Sequence, residues 1–236
     1  MMTNLPIYIS VVFVLTTLAT LLLFYHVIKN SNNESIRRKA NAIAFGMIVW
    51  LALTAVLALN DVYNSNLDSF PPKIAMFGVW PAILTIVLLF ATAKGRKFID
   101  SLPLLNIIYL NTIRIPVELV LYWLFLNKTV PELMTFAGRN FDIFAGLSAP
   151  FVAYFGFGKA RLSRKIILMW NFICLGLLIN IVVNAVLSLP IPIQQFAFDQ
   201  PNVALLDFPF IWLPVFIVPI VLFGHLVSIR QLLRKE

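Results

Sequence analysis

Seven apolar runs separated by short polar connections divide the chain, at about 5–28, 40–60, 74–93, 102–126, 142–158, 165–188 and 209–230. Each approaches the roughly 20 residues that an α-helix needs to cross the hydrocarbon of a bilayer. The pattern predicts an all-α fold, a polytopic membrane protein built as a seven-transmembrane-helix bundle, with residues 1–236 forming a single transmembrane domain. The fifth run is the shortest, and its Gly146, Pro150, Gly156 and Gly158 predict a kink or non-helical turn near Ser148–Pro150. Irregular backbone at that depth is tolerated only where protein or water covers it.

The connections alternate in charge. Basic clusters follow the first run (Lys29, Arg37, Arg38, Lys39), the third (Lys94, Arg96, Lys97), the fifth (Lys159, Arg161, Arg164, Lys165) and the seventh (Arg230, Arg234, Lys235), whereas the intervening connections carry few bases. Positive charge collects on the cytoplasmic side, so this order predicts the N-terminus outside and the C-terminus inside. The first run lacks a basic start and is too long for a cleaved signal, so it is read as a retained span. The outer connections 127–141 and 189–208 mix prolines with Phe, Leu and Val, which suits segments that fold over the mouth of the bundle as a lid.

Composition agrees with this pattern: 61% of residues are hydrophobic, 12% are charged and the mean hydropathy is +0.92, outside the balance of soluble domains. A net charge of +8 would suggest nucleic acid in a soluble protein, but here orientation in the membrane accounts for it, and no nucleic-acid partner is expected. The single cysteine, Cys174, rules out a disulfide or a multi-cysteine metal site within one chain. The short tails and loops have prokaryotic proportions, and the expected location is a bacterial inner (plasma) membrane.

The most informative run is 102–126, where Arg114 and Glu118 are the only Arg and Glu well inside any apolar segment. An ionised group there costs roughly 2.5–3.5 kcal/mol even on insertion scales, so it normally faces the bundle interior and has a partner. Spacing i, i+4 predicts that the two pair with each other, on a stripe that also carries Asn111 and Tyr122. Pro116 deprives the Thr112 carbonyl of its helical donor, which predicts a kink and offers that carbonyl to the Arg114 guanidinium. Counting about 1.5 Å per residue puts Glu118 roughly 12 Å and Arg114 about 18 Å below the outer boundary. Asn180, Asn184 and Ser148 fall at similar depth and Tyr154 level with Arg114, so the candidate ligand-binding set is Arg114, Glu118, Asn111, Tyr122, Ser148, Tyr154, Asn180 and Asn184, around a polar cavity in the outer half of the bundle.

The same residues admit three functions. The first is binding or transport of a small, possibly anionic solute at Arg114; the second is an enzyme or assembly factor acting on a lipid or lipid-linked substrate, with Glu118 as acid or base; the third is a structural subunit whose charged pair holds the bundle. A protease reading of Ser148 with His225 fails on depth, a mismatch on the order of 15 Å. A retinal photoreceptor needs a lysine in the last span, and none lies between Pro209 and Ser228. His26 and His225 lack companion ligands, so neither cofactor nor metal is expected. Trp123, Trp170 and Trp212 read as interfacial anchors, and Trp50 and Trp80 as deeper packing residues. Membrane lipids and a small-molecule ligand are the expected partners; no catalytic residue can be assigned, and the oligomeric state is not encoded in any motif.

Overall fold

The computed structural model describes residues 5–159 and 161–234, and among them the chain is all-α, 72% helical, with no strand. Helix α1 (Ile7–Lys29) leads through the short α2 (Glu34–Arg38) into α3 (Ala40–Leu59). A π-helical turn at Ala75–Val79 opens α4 (Trp80–Ala91), which bends by 91° into α5 (Ala93–Asp100). Helix α6 (Leu104–Leu110), a 3-10 turn at Asn111–Ile113 and α7 (Arg114–Leu126) make one rod. Helix α8 (Ile143–Ala153) ends in a π-helical turn at Tyr154–Gly158, α9 (Arg164–Leu187) follows, and another π-helical turn at Leu213–Ile217 starts α10 (Val218–Leu233).

Five of these rods are long and apolar enough to cross a membrane: α1, α3, α6–α7, α9 and Leu213–Leu233. The third and fifth apolar runs form shorter helices, the third because α4 turns at Thr92 and the fifth because only 11 α-helical residues precede its π-helical turn. Pro150 does not break α8; the irregular backbone lies one turn later, in the glycine-bearing stretch YFGFG. The disturbance around Pro116 likewise falls upstream, as the 3-10 turn at Asn111–Ile113. Pro116 has no N–H to give the Thr112 carbonyl, and the winding there tightens to a 3-10 turn.

The centre of the bundle is α10 and α6–α7, with 67% and 56% of their apolar windows buried, against 17% for α3. Helix α10 packs on α4, α6 and α9, α1 on α3 and α6–α7, and α8 on α6–α7. A proline sets one of these contacts: Pro219 cannot donate to the carbonyl of Val215, and the Trp50 indole N–H on α3 takes that carbonyl at 3.0 Å. The Trp212 indole returns a bond to the Leu51 carbonyl at 3.0 Å, so this residue also joins the last span to α3.

The α4–α5 corner is equally local in origin. Thr92 caps α5 by accepting from Gly95 N at 3.1 Å, and the Arg96 guanidinium donates to the carbonyls of Phe90 and Ala91 that α4 leaves open. Because α5 turns across the end of α4, it presents Lys94 and Lys97 to solvent and buries Gly95 and Ile99.

The connection after α3 contains Tyr63, 1% exposed, whose hydroxyl has no partner among the described residues and whose phenol is pushed up to about 12 by burial. A buried hydroxyl left without a hydrogen bond costs about 1–3 kcal/mol. The variant Tyr63→Phe is therefore expected to raise the melting temperature. A lower value in thermal unfolding would mean that the hydroxyl is bonded, for instance to trapped water.

Candidate functional site

Arg114 starts α7 with its side chain 3% exposed, and it does not pair with Glu118. Its Nη1 donates to Asp142 Oδ1 at 2.8 Å and to the Cys174 carbonyl at 3.4 Å. Its Nη2 lies 3.0 Å from His225 Nε2. Asn171 fixes the role of that histidine: its amide donates to the Ile167 carbonyl at 2.9 Å, leaving Oδ1 to face His225 Nδ1 at 3.0 Å. An amide oxygen only accepts, so Nδ1 carries the proton and Nε2 offers its lone pair to the guanidinium.

Glu118, 2% exposed, is held separately, with both carboxylate oxygens accepting from Asn140 Nδ2 at 2.7 and 2.8 Å. Asn140 also donates to the Met134 carbonyl, and its Oδ1 accepts from Asp142 N at 3.0 Å. One short sequence, Asn140-Phe141-Asp142, thus supplies a partner to each charged residue of α7. Three causes defeat the expected intrahelical pair. Arg precedes Glu, the less favourable order for i, i+4 ions. The 3-10 turn and Pro116 disturb the face on which they would meet. Finally, α8 comes very close: a Cβ on Gly146 would lie 2.9 Å from Ile115 Cγ1, 3.1 Å from Ile115 N and 3.3 Å from Arg114 Cβ. Only glycine lets the start of α8 deliver Asp142 to the guanidinium.

The remaining members of the predicted set are dispersed. Asn111 is buried, its amide donating to the carbonyls of Ile107 and Ile108 while its Oδ1 has no partner among the described residues. Tyr122 stacks on Phe136 with centroids 4.8 Å apart. Ser148 donates to the Phe144 carbonyl and accepts from the Trp170 indole at 2.9 Å. Tyr154 is exposed, with Lys159 over its ring. Asn180 is exposed and ties α9 to the Arg139 carbonyl, while Asn184 is buried and bonds Asn180. His26 is exposed near the end of α1, far in role from the buried His225.

The two long connections bond to each other and to the end of α7. The backbone N–H groups of Val203 and Ala204 donate to the Thr129 carbonyl, and Gln200 donates to Phe125 and Val130 carbonyls. Protein therefore covers the Arg114 network.

The opening in the bundle lies elsewhere. Helix α3 rests on α1 and α4 on α10, but α3 and α4 make little contact with each other. Between them is a groove of about 460 Å³, walled by Ile43, Gly46, Met47 and Trp50 of α3, Ile86 and Leu89 of α4, and by Phe223 behind them. Toward the basic end it meets a second hollow of about 600 Å³, with which it shares Ile43, Thr85, Leu89 and Phe98 and whose rim carries Lys39, Lys94 and Lys97. The sequence gives no warning of it, since residues lining a lateral groove and residues facing lipid are equally apolar.

A family model matches residues 71–233, more than half of the chain. The protein belongs to that family, described as Domain of unknown function (DUF8737). No curated protein and no solved structure matches the chain. The DUF8737 segment contains every side chain of the Arg114 and Glu118 networks, together with the α4, α5 and α10 walls of the groove; the α3 wall precedes it.

Proposed function

We propose that this protein is a single seven-span membrane domain, N-terminus outside and C-terminus inside a bacterial inner membrane, that binds an amphiphilic, lipid-like ligand in the groove between α3 and α4. The five long rods supply five spans, and Ala75–Ala91 and Ile143–Gly158 supply two shorter ones. The observation that carries the ligand is an apolar groove between two helices that make little contact with each other, where a ligand can arrive sideways from the bilayer. Acting on a lipid or lipid-linked substrate, as enzyme or assembly factor, belongs to the same reading.

Gly46 gives the test, since nothing lies within 4 Å of where its Cβ would be. The variant Gly46→Phe should fold normally, fill the groove and lose the lipid that the unaltered protein retains after mild purification, measured by native mass spectrometry. Equal retention by both proteins would overturn the proposal. Orientation is tested apart from it: single cysteines at Ser65 and Ser163, both exposed, should label from opposite sides of the membrane, with Ser65 reached from outside. Labelling of both from one side would exclude the seven-span topology.

A second reading, an anionic solute bound at Arg114 with Glu118, Asn111, Tyr122, Ser148, Tyr154, Asn180 and Asn184 around it, is supported by one observation. Arg114 Nε and Asn111 Oδ1 are buried and without partners among the described residues, so the network has unused donor and acceptor capacity. In that reading the solute displaces Asp142 from the guanidinium.

A further inference from the structure

We infer that the groove selects an anionic phospholipid from the leaflet at the basic end of the bundle, its acyl chain lying along α3 and its headgroup held by Lys39, Lys94 and Lys97. This inference rests on the groove being a lipid site and adds the charge and the leaflet.

Length is the first argument. From Trp50 at the deep end of the groove to Lys39 at its rim, α3 rises about 16 Å at 1.5 Å per residue. One leaflet of a bilayer contributes about 15 Å, half of its roughly 30 Å hydrocarbon core. The apolar wall therefore matches the depth of one leaflet, and the lysines stand where its headgroups begin.

Charge is the second. All three lysines are exposed, and none has an ion-pair partner among the described residues. The nearby acids are already engaged: Glu34 pairs with Arg38 at 2.7 Å, and Asp100 with Arg230 at 2.9 Å and with Arg234. The Arg230 hydrogen bond holds the Asp100 carboxyl below its usual range, so it remains an anion committed to the arginines. The rim is left with three unneutralised cations around one opening.

The third argument is placement. The 91° turn at Thr92 swings Lys94 and Lys97 toward Lys39 on the opposite wall, and brings Phe98 down as part of the apolar floor shared by both hollows. A straight α4 would carry these lysines along its own axis. As folded, cations and apolar floor face one occupant with a charged head and a hydrocarbon tail. Ser35 at the same rim adds a hydroxyl donor suited to a phosphate oxygen.

The test compares the unaltered protein with the triple variant Lys39→Gln, Lys94→Gln, Lys97→Gln, each reconstituted into nanodiscs of equal phosphatidylglycerol and phosphatidylcholine and released for native mass spectrometry. The unaltered protein should retain phosphatidylglycerol over phosphatidylcholine, and each lysine removed should lower that preference up to about fivefold. The triple variant should still carry lipid, without preference. Lipid retained by the unaltered protein without a headgroup preference, or a preference unchanged in the triple variant, overturns the anionic selection and leaves the groove reading intact. No retained lipid beyond the Gly46→Phe level overturns both. Because the lysines are exposed, matching melting temperatures are expected, and single-lysine variants give the same comparison if the triple variant is unstable.

Discussion

Arg114→Gln alone is expected to destabilise the protein by about 3–5 kcal/mol, the usual consequence of removing one partner from a buried ion pair. The substitution leaves Asp142 inside the bundle without its cation and removes the donor to His225 Nε2. Adding Asp142→Asn should restore most of the loss, because the stranded charge goes with it. Adding Glu118→Gln instead should restore little, since Asn140 and not Arg114 holds that carboxylate. The measurement is thermal unfolding in detergent for the single variants and both pairs, read as a double-mutant cycle. If Glu118→Gln rescues Arg114→Gln as well as Asp142→Asn does, the pairing seen here is wrong. The cycle also bears on the solute reading: Asp142→Asn frees the guanidinium, so that variant should gain affinity for a small anion if Arg114 serves as an anchor.

Gly95→Val should be strongly disruptive, although it replaces a residue with no side chain at the α4–α5 corner. A Cβ at this position would lie within 2.7 Å of the O, Cα and C atoms of Leu89, all of them backbone, so no side-chain rotation relieves the overlap. Overpacking typically costs about 1–3 kcal/mol and more where backbone must move. Displacing α5 also carries Phe98, Lys94 and Lys97 away from the groove. The expected result is a lowered melting temperature together with loss of retained phosphatidylglycerol, whereas Gly46→Phe loses the lipid at unchanged stability. A Gly95→Val protein with unchanged melting temperature and lipid content would show that the corner does not position the rim.

The apolar runs made the helices and their order legible, because twenty or so residues without charge have few other structures available in a membrane. Arg114 and Glu118 stood out for the same reason. Their partners did not, and the causes are specific. Asp142 occupies the first position of its apolar run, where an acid looks like an ordinary boundary residue, yet its connection dips inward and buries it at 4% exposure. Counting 1.5 Å for every residue places His225 on the order of 15 Å deeper than Ser148, and nothing in its own run marks it as a partner of Arg114. The π-helical turn at Leu213–Ile217 packs more residues into each turn and shortens that distance, and Arg114 reaches the rest of the way with its side chain. The bend at Thr92 had a readable signal in Thr92 and Gly95 flanking Lys94, but long apolar context made 74–93 look like a simple rod.

The two indole bonds that join α3 to the last span, Trp50 to Val215 and Trp212 to Leu51, are clustered along one short length of α3, well away from Lys39. Beside Lys39 the same helix is tied to α1 instead, where the Tyr25 hydroxyl donates to Asn41 Oδ1 at 2.9 Å. Helix α3 is thus a beam supported near both ends of the groove, with residues 43–47 between the supports lining it. A beam so held yields least at its supports, so whatever play the groove has falls on the middle stretch around Gly46, and an elongated molecule is accommodated there without breaking a bond at either end.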